Sequence, residues 1–115
     1  MRVAVDAMGG DYAPAEPVKG VLAARDKLGE GDKIVLIGDE AILRKHLDGQ
    51  GDWQSFIEIE HAPEVVGMDE SPVEALRQKP KSTIVRMTQL AAEKKVDAVV
   101  SAGNTGACVA ACQMN

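Results

Sequence analysis

Along the first hundred residues, short apolar runs alternate with stretches in which apolar positions recur every three or four residues. Arg2 to Ala7 alternates weakly and reads as a first strand. After a loop with Gly9, Gly10 and prolines at 14 and 17, a helix is predicted from Ala15 or Glu16. Val18, Val21, Leu22 and Leu28 fall on one of its faces, and Gly29-Glu30-Gly31-Asp32 ends it. Lys33 to Gly38 is the clearest buried strand in the chain. Asp39 then stands where a helix N-cap is expected, and Ala41, Ile42, Leu43 and Leu47 give a short amphipathic helix. Asp48 to Gln54 is a polar turn. Phe56-Ile57-Glu58-Ile59-Glu60 alternates as a third strand, and its glutamates suggest a place near the sheet edge.

From Ala62 to Ser82 the pattern weakens, broken by Pro63, Pro72 and Pro80, with one helical turn around Val73 to Arg77. A stretch of that length without a strong element often marks a functional loop. Ser82 or Thr83 caps the next helix, lined by Ile84, Met87, Leu90 and Ala91. Glu93-Lys94-Lys95 closes it with cations at the end that favours them. Asp97 to Ser101 is a β-branched run of the kind a parallel sheet buries on both faces. It stops at Ala102-Gly103, and a helix-compatible run resumes from Thr105 to Cys112. The order βαβαβ-loop-αβα predicts an α/β fold, a Rossmann-like parallel sheet with right-handed crossovers and helices on both faces. No internal repeat or low-complexity linker divides the 115 residues, so one domain, or a piece of one, is expected.

Composition narrows the function. Thirteen basic and 18 acidic residues leave a net charge of −5, which argues against a nucleic-acid-binding role. No apolar run approaches the roughly 20 residues of a membrane span, and the N-terminus lacks a signal-peptide layout, so a cytoplasmic location is expected. Trp53, Tyr12 and Phe56 are the only aromatics, so the core must come from aliphatic residues and methionine. Cys108 and Cys112 lack the further Cys or His residues of a zinc site and read as small buried thiols; no metal site is expected.

Candidate chemistry gathers where strands end, because open parallel sheets bind ligands at the carboxyl ends of their strands. Gly103 and Gly106 bracket Asn104 and Thr105, so the backbone can approach a ligand there, and the amides of a new helix suit an anion. A plain βα turn capped by Asn104 or Thr105 gives the same spacing. Asp6 and Asp11 would repel an anion unless partnered. Asp6 suits orienting a cation, accepting a backbone N–H or binding a metal, whereas Asp11 reads first as a turn or cap residue. Ser101 is a possible nucleophile, but nothing in the sequence supplies its base. Arg77, Lys79, Lys81 and Arg86 form the one concentrated basic segment: either a solvated face or a patch that steers anions. His46 and His61 read as surface residues. Neither the G-x-G-x-x-G fingerprint nor a P-loop is present, so nucleotide-cofactor readings lose their support and no cofactor is expected.

Three blocks in order carry a family resemblance. They are Val5-Asp6-Ala7-Met8-Gly9-Gly10-Asp11-Tyr12-Ala13-Pro14, Met68 to Arg77 followed by Lys79, Lys81 and Ser82, and Ser101-Ala102-Gly103-Asn104-Thr105-Gly106-Ala107. Together they closely resemble the PlsX family, phosphate acyltransferases that make acyl phosphate from acyl-carrier protein thioester and inorganic phosphate. The resemblance implies an α/β/α sandwich related to isocitrate and isopropylmalate dehydrogenases. It implies a phosphate site at Gly9, Gly10, Ser101, Gly103, Asn104, Thr105 and Gly106, with Asn104 and Asp6 closest to the chemistry. Arg77, Lys79 and Lys81 would steer acyl-carrier protein or phosphate. The family's proteins are longer, so this chain is expected to be an N-terminal part. A homodimer interface and any peripheral membrane contact would belong to the remainder. A phosphotransacetylase-like enzyme acting on acyl-CoA and a non-catalytic binding domain for a phosphorylated ligand are the alternatives.

Overall fold

The strand β2, Lys33–Gly38, organises the sheet because five consecutive positions, Ile34 to Gly38, are buried. Such a run has no solvent face, so it requires strands on both edges and helices on both sides. The computed structural model, which describes residues 1–8, 13–65 and 72–101, supplies them. β1 (Arg2–Asp6), β2, β3 (Ile57–His61) and β4 (Ala98–Val100) form one all-parallel sheet in the order β3-β2-β1-β4. The helices are α1 (Ala15–Ala23), α2 (Glu40–Leu47), α3 (Pro72–Gln78) and α4 (Thr83–Ala92). This is the α/β, Rossmann-like architecture that the alternating pattern predicts.

Strand alternation sorts the core into two layers. Ile34, Leu36 and Ile57 pack with Ala7 and Phe56 against Val18 and Val21 of α1 and Leu43 and Leu47 of α2. On the other face Ala4, Val35 and Ile37 pack with Ala62 and Val96 against Met87 and Leu90 of α4. Each fully buried aliphatic side chain contributes about 1.5–3 kcal/mol of transfer free energy. α2 begins where Asp39 accepts from the Ala41 and Ile42 amides at 3.0 and 3.3 Å, and α4 where the Ser82 hydroxyl accepts from the Val85 amide. Both caps satisfy amide donors that a helix start leaves over.

The helix faces are narrower than expected. On α2 only Leu43 and Leu47 are buried; Ala41 and Ile42 face solvent, about 100° or more off that stripe. On α4, Ala91 is exposed, while Thr83 and Thr88 join the buried face. α1 stops at Ala23 and tightens into a 3₁₀ turn over Ala24–Lys27, so Leu28 packs on the core from beyond the helix. The expected turn at Val73 to Arg77 is a seven-residue helix. Among the described residues β3 does lie at an edge, with Glu58 and Glu60 answered by Arg2 and Arg86 at 2.8 and 2.7 Å. β4 departs most from expectation. Among the described residues β1 is its one neighbour, and Val100 is 55% exposed rather than buried on both faces.

Candidate functional site

The chain moves outward from β1 to β2 to β3 with α1 and α2 on one face, then returns past β1 to β4 with α4 on the other. The direction of winding therefore reverses between β1 and β4. At such a switch point the connections leave in opposite directions, opening a crevice at the carboxyl ends of the two strands. Register places Val5 opposite Val100, so Asp6 and Ser101 emerge side by side into that region. Both share the face that α4 covers, because Ala4 and Val99, two residues earlier on each strand, pack there.

Asp6 is 3% exposed and both of its oxygens are engaged. Oδ1 accepts from the Met8 amide at 3.0 Å, and Oδ2 accepts from the Ser101 hydroxyl at 3.0 Å. Of the roles open to Asp6 from sequence, the structure shows acceptance of a backbone N–H, and it adds a hydroxyl donor 95 residues away. Desolvating a carboxylate is costly, and these two bonds to a charged acceptor offset part of that cost. The Ala7 amide donates to the Ile37 carbonyl at 2.9 Å, fixing the chain just past β1 against β2. Met8 then crosses the end of β2 over Gly38. A Cβ built at Gly38 would lie 2.8 Å from Met8 Cγ and 3.2 Å from Leu43 Cδ1. Sequence gave no sign of this contact beyond the bare glycine.

Gly9, Gly10, Asp11, Gly103, Asn104, Thr105, Gly106, Cys108 and Cys112 lie outside the described residues. Asp39, also at a strand end, is committed to capping α2. In the basic segment, Lys79 Nζ donates to the Val65 carbonyl at 2.8 Å, a tie that holds α3's exit against the chain after β3. Arg77 and Lys81 are exposed, and the Lys81 amide donates to Glu64 Oε1. Arg86 is paired with Glu60. His46 is exposed, and so is His61, whose Nδ1 accepts from the Glu40 amide at the start of α2. Thr83 is fully buried, with its hydroxyl oxygen unpartnered among the described residues. No cluster of three or more His, Cys, Asp or Glu suited to a metal occurs among the described residues.

The shifted titrations lie at the opposite, amino end of the strands. A bidentate hydrogen bond from Arg2, whose own pKa it raises, holds the Glu58 carboxyl below its ordinary range. The N-terminal ammonium lowers Asp32 by hydrogen bonding, helped by the Gly29 amide, and is itself raised. These groups lie at the amino end of the sheet, away from Asp6 and Ser101.

A parallel α/β protein with a buried carboxylate–hydroxyl pair at its switch point is the class these features define. The chain belongs to the fatty acid synthesis protein family, whose model matches residues 1–115. It is 51% identical over 107 residues to a phosphate acyltransferase of Desulforamulus reducens, covering 93% of this chain and 31% of that protein. Phosphate acyltransferases of Pelotomaculum thermopropionicum and Brevibacillus brevis are 49% and 50% identical over 111 residues, 96% of this chain and 32% of each. The chain thus spans about a third of the length of the curated relatives it matches, their N-terminal part. No described helix is long and apolar enough to cross a membrane.

Proposed function

We propose that this chain forms the phosphate-binding part of an acyltransferase that moves an acyl group from acyl-carrier protein to inorganic phosphate, in lipid synthesis. The observation that carries the reading is identity near one half, over nearly all of the chain, to relatives named phosphate acyltransferase. The meeting of Asp6 and Ser101 at the switch point supports it, because it brings the chain after β1 beside the chain after β4. In sequence, Gly9 and Gly10 follow β1 and Gly103 to Gly106 follow β4.

In the proposed reaction a phosphate oxygen attacks the thioester carbonyl. The new C–O bond forms, the C–S bond breaks, and the carrier's thiolate leaves to take up a proton. Holding both reactants in line supplies most of the acceleration, so no covalent intermediate on the protein is required. Backbone amides of Asn104, Thr105 and Gly106, with the Asn104 side-chain amide and Thr105 hydroxyl, cradle phosphate and the developing oxyanion. Arg77 and Lys81 steer the acidic carrier protein. The site resides in a cytoplasmic homodimer whose acyl-binding and membrane-contacting parts lie in the other two thirds of the relatives' length.

The test is phosphate-dependent thiol release from palmitoyl-acyl-carrier protein. The protein is a full-length one carrying residues 1–115 as its N-terminal part, completed from the Desulforamulus reducens relative. Asn104→Ala is expected to lower turnover about a hundredfold, the usual cost of one oxyanion donor. Unchanged turnover refutes the role of Asn104. Preference for palmitoyl-CoA over the carrier thioester would replace the acyl donor. Phosphate binding without thiol release would leave only a binding domain.

A further inference from the structure

The hydrogen bond between Ser101 and Asp6 constrains what either residue can do. A serine hydroxyl has one proton to donate. Donated to Asp6 Oδ2 at 3.0 Å, that proton is unavailable to a phosphate oxygen. Asp6 meanwhile uses its other oxygen to accept from the Met8 amide, two residues along the loop that leads to Gly9 and Gly10. Neither group is therefore presented to an anion as a ligand. A bare buried carboxylate beside phosphate would repel it, whereas one that accepts two hydrogen bonds has part of its charge answered.

We infer that Asp6 and Ser101 are a coupled pair of positioning residues, acting on phosphate affinity through the two segments they fasten together. Neither is a catalytic base or nucleophile in this assignment, nor a direct phosphate ligand. The inference rests on the proposed acyl transfer to phosphate and assigns these residues their part in it. Their placement supports it: Val5 and Val100 are paired across the β1–β4 ladder, and each is followed at once by one member of the pair. Breaking the bond leaves the β1–β4 ladder intact but removes the side-chain tie just past it, at the point where the winding reverses. That misplaces the donors beyond the two strands without removing any.

The experiment is a double-mutant cycle in the full-length protein described above, read as KM for phosphate and kcat separately. Asp6→Ala and Ser101→Ala are each expected to raise the phosphate KM about tenfold, the worth of a hydrogen bond to a charged group. kcat should fall far less, and the double variant should be no worse than Asp6→Ala. Asp6→Asn keeps an acceptor for the Met8 amide and gains a donor to Ser101, so it should recover most of the loss. Two kinetic results overturn the assignment. Additive effects show that the pair is not coupled. Loss of kcat in Ser101→Ala and in Asp6→Asn alike, with parallel-line initial-rate kinetics, shows instead an acyl-serine route with Asp6 as the base. Amide hydrogen exchange on the 115-residue chain separates this inference from the parent reading. Asp6→Asn should keep Met8 protection within about threefold of wild type and Asp6→Ala should raise its exchange at least tenfold, roughly the loss of that one bond. Unchanged Met8 exchange in Asp6→Ala overturns the pair even where acyl transfer is confirmed. Absence of phosphate-dependent thiol release in the wild-type protein fails the parent reading instead.

Discussion

Gly38→Ala sets two opposed effects of known sign against each other. Gly38 does not share the positive φ of Gly31, Gly49 and Gly51, so alanine can adopt its backbone. On that ground alone the substitution would stabilise by about 0.4–1 kcal/mol, by restricting the unfolded chain. The space contradicts it. The new methyl would sit 2.8 Å from Met8 Cγ, 3.1 Å from Met8 Sδ and 3.2 Å from Leu43 Cδ1. Met8 is a half-buried, flexible chain that can swing away, but Leu43 is fully buried in the core. Overpacking of this kind costs about 1–3 kcal/mol, so the net expectation is a loss of roughly 1 kcal/mol. With a urea dependence of about 2 kcal/mol per molar, the denaturation midpoint should fall by about 0.5 M. Truncating the obstructing chain should relieve the clash. Met8→Ala combined with Gly38→Ala should therefore show a favourable coupling of about 1 kcal/mol in a double-mutant cycle. A midpoint that stays or rises, or a cycle without coupling, refutes the claim that Met8 is held over the end of β2.

Lys94, at φ 59, takes the left-handed position that ends α4, where its amide donates to the Ala91 carbonyl. Lys94→Gly should raise stability by about 1 kcal/mol in the same urea assay, because glycine carries no Cβ penalty there; a lower midpoint would count against that backbone. Stability should also fall at both pH extremes. Glu58 and Asp32 have depressed folded-state pKa values, so their contribution is complete above the unfolded value and lost as pH drops through the folded one, below roughly pH 4.5. The Met1 ammonium is raised, so its contribution is complete below about pH 8 and lost as pH climbs through the folded value. Glu58→Gln should flatten the acid limb and N-terminal acetylation the alkaline one, both modestly because these pairs are exposed. An unchanged acid limb in Glu58→Gln would show that the Arg2 bond contributes nothing.

The fold was legible wherever a local pattern had one physical solution. Lys33 to Gly38 could only be a doubly covered strand, and its observed limits are those expected. Asp39 before an apolar pair four residues apart could hardly be other than a cap. Legibility failed where burial depends on neighbours supplied by distant chain. Asp97 to Ser101 looks like an interior strand by composition, yet Val100 is exposed, and β1 is the strand's one neighbour among the described residues. Ile42 and Ala91 are apolar residues just off a buried stripe, and sequence spacing does not resolve a stripe's width. Lys79 read as part of a solvated face or an anion-steering patch; its tie to the Val65 carbonyl depends on a chain return that the broken pattern between Ala62 and Ser82 could not show.

The candidate site was half legible for a related reason. That Asp6 and Ser101 both end strands follows from their local sequence, and so does the expectation that ligands gather there. That they touch depends on strand order, which local pattern leaves open: had β4 added beyond β3, the two would lie on opposite sides of β2. Once β4 is placed beside β1, the rest follows from register. Val5 opposite Val100 makes Asp6 and Ser101 neighbours, and strand alternation puts both side chains on the face of Ala4 and Val99. The same step changes the chemistry assigned to them. An isolated Asp6 suits orienting a cation, accepting a backbone N–H or binding a metal, and an isolated Ser101 is a candidate nucleophile or phosphate-site residue. Together they form a hydrogen-bonded pair in which Ser101 donates and Asp6 accepts, so neither can be read without the other.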